Sequence, residues 1–346
     1  MNILIRRGDI ISGGKVLKDT AMSIEGSKIA ATGKSLAGQR DVRVIDAKGC
    51  FVTPGFIDSH IHGNPCEIIS NETRHGTTAF VVAVSCGRPV PEVSGYSGAI
   101  GVRLEGPYIN PSMAGAQDRK FIRKSFHSGI GITEIRSDPG MLMMTLAPEL
   151  PGAKRLIRLC KKHNILPSIG HSDASYEEAK NSFGLGIRHA THLFNAMSGP
   201  RHGTAGAGLA ALFDKRVNVE VIADLKHVRP ELLRLVFAVK NPDKIILITD
   251  SVRAEKTVFP TPGVGMVGGM GHMIDCVRNV VRHCGVSLPD AVKMASLNPA
   301  KLFGVEKRKG SITPGKDADL ALFDKNFNVK FTIIGGKIVY QKKGLR

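Results

Sequence analysis

The chain has 346 residues, 42% apolar and 23% charged, which fits a globular protein with a large core and excludes a disordered or fibrous one. No stretch is long and apolar enough to span a bilayer, and Met1 to Ile11 runs into charge at Arg6, Arg7 and Asp9, so neither a membrane anchor nor a secretory leader is expected. The net charge of +18 would draw polyanions, but its lysines and arginines are scattered and only four Tyr and no Trp could stack on bases, so nucleic-acid binding is not expected.

In chain order, the first segments read as short strands: Ile3 to Arg6, Ile10 to Ser12, Ala21 to Glu25 and Lys28 to Thr32, with turns at Gly13-Gly14 and Gly26-Ser27. Then come eight candidate strands: Phe51–His60, Thr78–Val84, Ile100–Leu104, Leu142–Thr145, Ile165–Ile169, Arg188–His192, Val217–Ile222 and Ile245–Thr249. Amphipathic helices fall between several of them. Lys154 to Lys162 gathers Leu156, Ile157 and Leu159, and Pro230 to Val239 carries Leu232, Leu233, Val236 and Phe237, with Pro230 at its tolerated first turn. Strands alternating with helices predict βαβ units, and 53–309 matches the roughly 250 residues of a (β/α)8 TIM barrel. The chain ends in Leu320 to Phe323, Phe331 to Ile334 and Lys337 to Tyr340, with a hairpin at Gly335-Gly336. The expected α/β architecture is therefore a barrel at 53–309 with a small β-sandwich domain built by both termini, 1–52 and 310–346. Six cysteines lie far apart without a C-x-x-C pair and read as reduced thiols of a cytoplasmic protein.

The chemical residues fall on one kind of position. His60 and His62 close the first barrel strand; residues i and i+2 of a strand share a face, so both imidazoles can reach one point. Glu105 closes the third strand, His171 follows the fifth, His192 ends the sixth and Asp250 ends the eighth. The C-terminal ends of barrel strands converge on the face that carries active sites. Four histidines and two carboxylates suit zinc, iron or a similar divalent ion. They exceed the three protein ligands of an open catalytic zinc site. Either two ions share Glu105, or one is bound and the other groups do different work, with Asp250 placed to take a proton from an activated water.

These residues and their surroundings resemble the amidohydrolase superfamily and, within it, the N-acetylglucosamine-6-phosphate deacetylases. The resemblance runs through Thr53–Gly63, Leu104–Pro111, Gly170–Ala174, Thr191–Met197, Ala223-Asp224 with His227, Thr249-Asp250, Ser296–Gly304 and Gly310–Leu320. It implies a main metal site of Glu105, His171 and His192, a second ion at His60 and His62, and Asp250 as catalytic acid/base. It further implies substrate contacts from Ala116, Gln117, Asn195, Ala196, His227, Met266, Val267 and Gly268, with Arg201 on the phosphate, where a guanidinium can act as a bidentate donor. The implied reaction removes acetate from an N-acetylated hexosamine 6-phosphate, and a homodimer is implied. Three departures touch the pocket mouth: a short run from Gly63 to Thr77, Gln117 where the family carries histidine, and a compressed segment from Asp250 to His272. The competing readings are an amidohydrolase for another N-acyl sugar or a cyclic amide, and a basic nucleic-acid-binding protein.

Overall fold

A computed structural model describes residues 2–34, 36, 42–127, 140–253, 268–269 and 271–344. The chain divides into two compact units, one of residues 1–59, 66–80 and 271–346, the other of 60–65 and 81–270.

The first unit holds a sheet built from both termini. Its strands are β1 (Asn2–Ser12), β2 (Lys15–Glu25), β3 (Lys28–Gly33), β4 (Val42–Asp46) and β5 (Cys50–Pro54), together with three from the C-terminus, Leu320–Asp324, Val329–Ile334 and Lys337–Gln341. The C-terminal strands pair onto β5, β5 onto β1, and β1 onto β2 and β4. The two short strands expected over Ile3–Ser12 are one bulged strand: its pairing with β2 slips around Gly8, and Arg7 adopts φ 60°. A Cβ on Gly8 would lie 2.6 Å from Val52 Cγ2, so only glycine lets β1 pass. Alternate side chains of these strands, among them Ile3, Ile5, Met22, Ile24, Val52, Leu320, Leu322, Phe331 and Ile333, meet in one core. Each contributes about 1.5–3 kcal/mol of burial.

The second sheet is a parallel barrel. It contains β6 (Phe56–Gly63), β7 (Thr77–Ser85), β8 (Ala99–Glu105), β9 (Met141–Leu146), β10 (Leu166–Ile169), β11 (His189–Ala190), β12 (Asn218–Ile222), β13 (Ile245–Ile248) and β14 (Ser251–Arg253). They run in chain order from β6 to β13, and β14 returns to the free side of β6, pairing Ser251 with Ile61 and Val252 with His62. Since β13 and β14 are one run interrupted at Thr249-Asp250, this pairing closes the cylinder of a (β/α)8 barrel. The single strand expected over Phe51–His60 is two, β5 and β6. The chain switches sheets at Gly55, where a Cβ would sit 2.1 Å from Thr78 Oγ1.

Helices of the second unit pack on its strands through apolar stripes. Ala153–Lys162 buries Ala153, Leu156, Ile157 and Cys160. Tyr176–Leu185 starts with a reciprocal cap: the Glu178 N–H donates to Ser175 Oγ at 3.2 Å, and the Ser175 N–H donates to Glu178 Oε2 at 2.8 Å. Residues 86–98, between β7 and β8, contain no helix. None of the described helices is long and apolar enough to cross a membrane.

Candidate active site

The strand ends bring six expected residues together. His171 Nε2 and His192 Nε2 each lie 2.9 Å from Glu105 Oε1 and 3.2 Å from one another. His62 Nε2 lies 3.4 Å from Glu105 Oε2 and 3.3 Å from Asp250 Oδ1. His60 Nε2 lies 3.2 Å from Asp250 Oδ1 and 3.7 Å from Glu105 Oε1. Glu105 thus stands between two histidine pairs, and Asp250 caps one of them.

The backbone does the aiming. His171, His192 and Asp250 have φ values of 48°, 30° and 49°, in the left-handed region that non-glycine residues avoid. Each such residue costs about 1–3 kcal/mol, and such strain clusters at functional sites. It turns these side chains out of the strand alternation and into the mouth. It also explains why β11 is so short: the left-handed turn at His192 ends the strand that was expected to run through it, while the Thr191 N–H still donates to the Ile169 carbonyl of β10 at 2.9 Å.

The donor chemistry fits a cation. His171 Nδ1 faces the Met113 carbonyl at 2.9 Å, and His192 Nδ1 faces the Asn195 carbonyl at 3.2 Å. A carbonyl only accepts, so both Nδ1 atoms carry the proton. In the neutral rings, two Nε2 lone pairs and a carboxylate oxygen then converge, and something positive must sit among them, a proton or a metal ion. Imidazole nitrogens about 2.0–2.1 Å from a tetrahedral zinc stand about 3.3 Å apart, close to the spacing here. Two groups have metal-ligand geometry among the described residues: Glu105 with His171 and His192, and Glu105 with His60 and His62.

Electrostatics sharpen the same point. Burial pushes the Glu105 carboxyl up, but hydrogen bonds from His171, His192 and His62 hold it well below the usual range. Burial pulls His62 down, yet its hydrogen bonds to Asp250 and Glu105 and their charges push it up to about 10. His60 goes the other way, lowered by burial and by the Arg103 charge.

That arginine belongs to a buried layer below the cluster that the sequence did not flag. Arg103 Nη1 is ion-paired with Glu220 Oε1, and Arg103 Nη2 donates to Thr191 Oγ1 at 2.9 Å. Glu220 Oε1 also meets His189 Nε2 at 3.0 Å, and Glu220 Oε2 accepts from His60 Nδ1 at 3.3 Å. This fixes the His60 tautomer with Nε2 toward the mouth. The signal was there: Arg103 stands two residues before Glu105 on the same face of β8, and Glu220 interrupts an apolar strand. Removing one partner of a buried ion pair leaves an uncompensated charge. Arg103→Met is expected to cost about 3–5 kcal/mol, read as a lower urea midpoint at unchanged slope.

The other expected site residues line the neighbouring loops. His227 Nδ1 meets Asp224 Oδ2 at 2.7 Å and the His227 N–H donates to Asp224 Oδ1 at 2.9 Å, so this ring is oriented by a carboxylate. Asn195 Nδ2 folds back onto the His192 carbonyl at 3.3 Å. The Ala196 carbonyl accepts from the Ser172 N–H at 3.1 Å. Ala116 follows Gly115, where a Cβ would lie 3.3 Å from His171 Cε1 and 3.4 Å from Ala196 Cβ. Gln117 is buried against Glu105, with Nε2 2.6 Å from Oε2. Arg201 is exposed, its backbone paired with Thr204. Gly268 packs beside the Asp250 carbonyl. Met266 and Val267 lie outside the described residues.

Residues 51–339 match the amidohydrolase family. Over an alignment 389 positions long, gaps included, the chain is 30% identical to the N-acetylglucosamine-6-phosphate deacetylase of Bacillus subtilis (strain 168), covering 99% of this chain and 98% of the relative. The chain belongs to the amidohydrolase family, among the N-acetylglucosamine-6-phosphate deacetylases. Solved structures agree. The deacetylase of Pasteurella multocida superposes with a TM-score of 0.88 at 26% identity, covering 99% of this chain and all (100%) of that one. The deacetylase of Thermotoga maritima gives 0.83 at 27% identity, covering 98% and 100%. The match extends along the whole chain, including the terminal sheet, so the deacetylase likeness is not confined to a few motifs.

Proposed function

We propose that this chain hydrolyses the acetamide of N-acetylglucosamine 6-phosphate, releasing acetate and glucosamine 6-phosphate. The observation that carries the reading is the convergence of His171 Nε2, His192 Nε2 and Glu105 Oε1 within 3.2 Å of one another, in a chain that aligns end to end with deacetylases of that substrate. Glu105, His171 and His192 would hold one divalent ion, and His60 and His62, with Glu105 between the pairs, a second. Such an ion supplies a water acidified towards neutral pH and an electrophile for the acetyl oxygen.

The protein groups do the rest. Asp250 Oδ1 accepts a proton from the attacking water and returns it to the amide nitrogen as the C–N bond breaks. Burial raises its carboxyl, but the neighbouring His60 and His62 hold it below the ordinary range. His227, steadied by Asp224, donates to the developing oxyanion. Arg201 takes the phosphate, and Asn195, Ala196, Ala116 and Gly268 line the sugar. We assign the barrel to 53–309 and the terminal domain to 1–52 and 310–346, and infer a cytoplasmic homodimer; sedimentation tests the dimer.

The decisive experiment is metal analysis of the purified protein together with acetate release from N-acetylated hexosamine 6-phosphates. Protein free of metal, or no acetate with metal bound, would overturn the reading. Arg201→Ala is expected to raise KM for the phosphorylated sugar at least tenfold, since a charge-assisted contact is worth about 1.5–3 kcal/mol, and to leave the unphosphorylated sugar unaffected. Equal losses on both sugars would remove Arg201 from the phosphate.

A further inference from the structure

Gln117 has two anchors. Its Oε1 accepts from the Cys86 N–H at 2.8 Å, and its Nε2 donates to Glu105 Oε2 at 2.6 Å. The first contact fixes the second: an amide oxygen pointed at an N–H leaves only the NH₂ for the carboxylate. Cys86 directly follows β7 and Glu105 ends β8, so the glutamine ties two neighbouring strand ends across the mouth. It is 7% exposed. The same loop supplies the Met113 carbonyl that orients His171.

The terminal carboxyl torsion of a glutamate is soft and roughly two-fold. At Glu105 it cannot rotate freely. Oε1 serves His171 and His192, while Oε2 is held by the amide of Gln117 and turned toward His62. A carboxylate fixed in this plane presents Oε1 to His171 and His192 and Oε2 to His62.

We propose that Gln117 is a positioning residue for the metal-binding carboxylate: it sets the plane of Glu105 so that Oε1 addresses His171 and His192 while Oε2 addresses His62. It does not bind the sugar. The proposal rests on the metal-dependent reading above. Outer partners of metal ligands change metal affinity by about 10–100-fold when removed.

The test is Gln117→Met, of similar length but with no donor. Metal affinity is measured by chelator competition with zinc, KM by acetate release at saturating zinc, and the melting temperature on metal-free protein. The expected result is a 10–100-fold weaker zinc affinity, with KM unchanged within twofold once zinc saturates. Zinc affinity equal to the parent's overturns the proposal. A raised KM with parental zinc affinity does so too, and returns Gln117 to the substrate. A parent protein that binds no zinc or other divalent ion fails the functional reading instead, which separates the two. Should the methionine variant melt below the assay temperature, Gln117→Glu provides the second arm. It keeps the acceptor for the Cys86 N–H and removes the donor to Glu105. Metal-free Gln117→Glu is then expected to melt lower than the parent at pH 8 and to recover at pH 5, as one of two facing carboxyls takes a proton; a melting temperature with the parental pH dependence overturns the proposal.

Discussion

Asp250→Asn is expected to lower kcat by about 10²–10⁴-fold while the protein keeps its metal. The change is isosteric, and the contacts that hold the backbone of this position do not use the side chain: the Asp250 N–H donates to the His60 carbonyl at 2.9 Å, and the Asp250 carbonyl accepts from the Gly269 N–H at 2.8 Å. Neither depends on the side-chain charge, so the left-handed turn that aims residue 250 persists. What asparagine cannot do is hold a proton. If Asp250 shuttles the proton from water to the departing nitrogen, its loss adds about 3–5 kcal/mol to the barrier. The comparison is acetate release at saturating substrate beside metal content per chain. Parental turnover by the variant would end the acid/base role. Loss of metal along with activity would make Asp250 a ligand instead.

The parts of the fold that were legible in the sequence are those set by local rules. The helix expected over Pro230–Val239 has those bounds in the structure, because a proline fixes its start and its apolar stripe is regular. The chemical residues were found because strand ends are marked by where an apolar run stops, and a barrel gathers those ends on one face. What escaped depends on contacts distant in sequence. The switch of sheets at Gly55 is dictated by the crowding of Thr78, which no local pattern shows. The return of β14 to β6 is a closure condition on the whole cylinder. Arg103 and Glu220 look out of place in apolar strands until they are seen as partners across the barrel interior, where each satisfies the charge of the other. Gln117 is the sharper lesson. Its alignment with a substrate-facing histidine said nothing about the Cys86 N–H that turns its amide onto Glu105.

The metal-free protein is expected to lose stability as pH rises, and the metal-loaded protein to keep it. Without metal, the cluster must hold protons where its acceptors converge. His62 is pushed up to about 10, against burial, by Asp250 and Glu105. His192 is likewise raised, burial opposing and Glu105 prevailing. A group whose folded pKa is raised stabilises the fold below its unfolded value and loses that contribution as pH climbs through the folded one. The metal-free protein should therefore lose stability between about pH 6.5, the free histidine value, and about 10. A divalent ion competes for the same nitrogens, so its binding expels these protons and tightens up to tenfold per pH unit for each proton released. Ligand binding adds about 2.7 kcal/mol to stability at a hundredfold excess over Kd, and this gain grows as the free protein weakens, so the loaded protein holds its stability over the range in which the free protein loses it. Chelation should abolish acetate release at every pH, and zinc should restore it. Melting curves from pH 6 to 9, with zinc and with chelator, read both slopes, and parallel slopes would mean that protons and metal do not share these histidines.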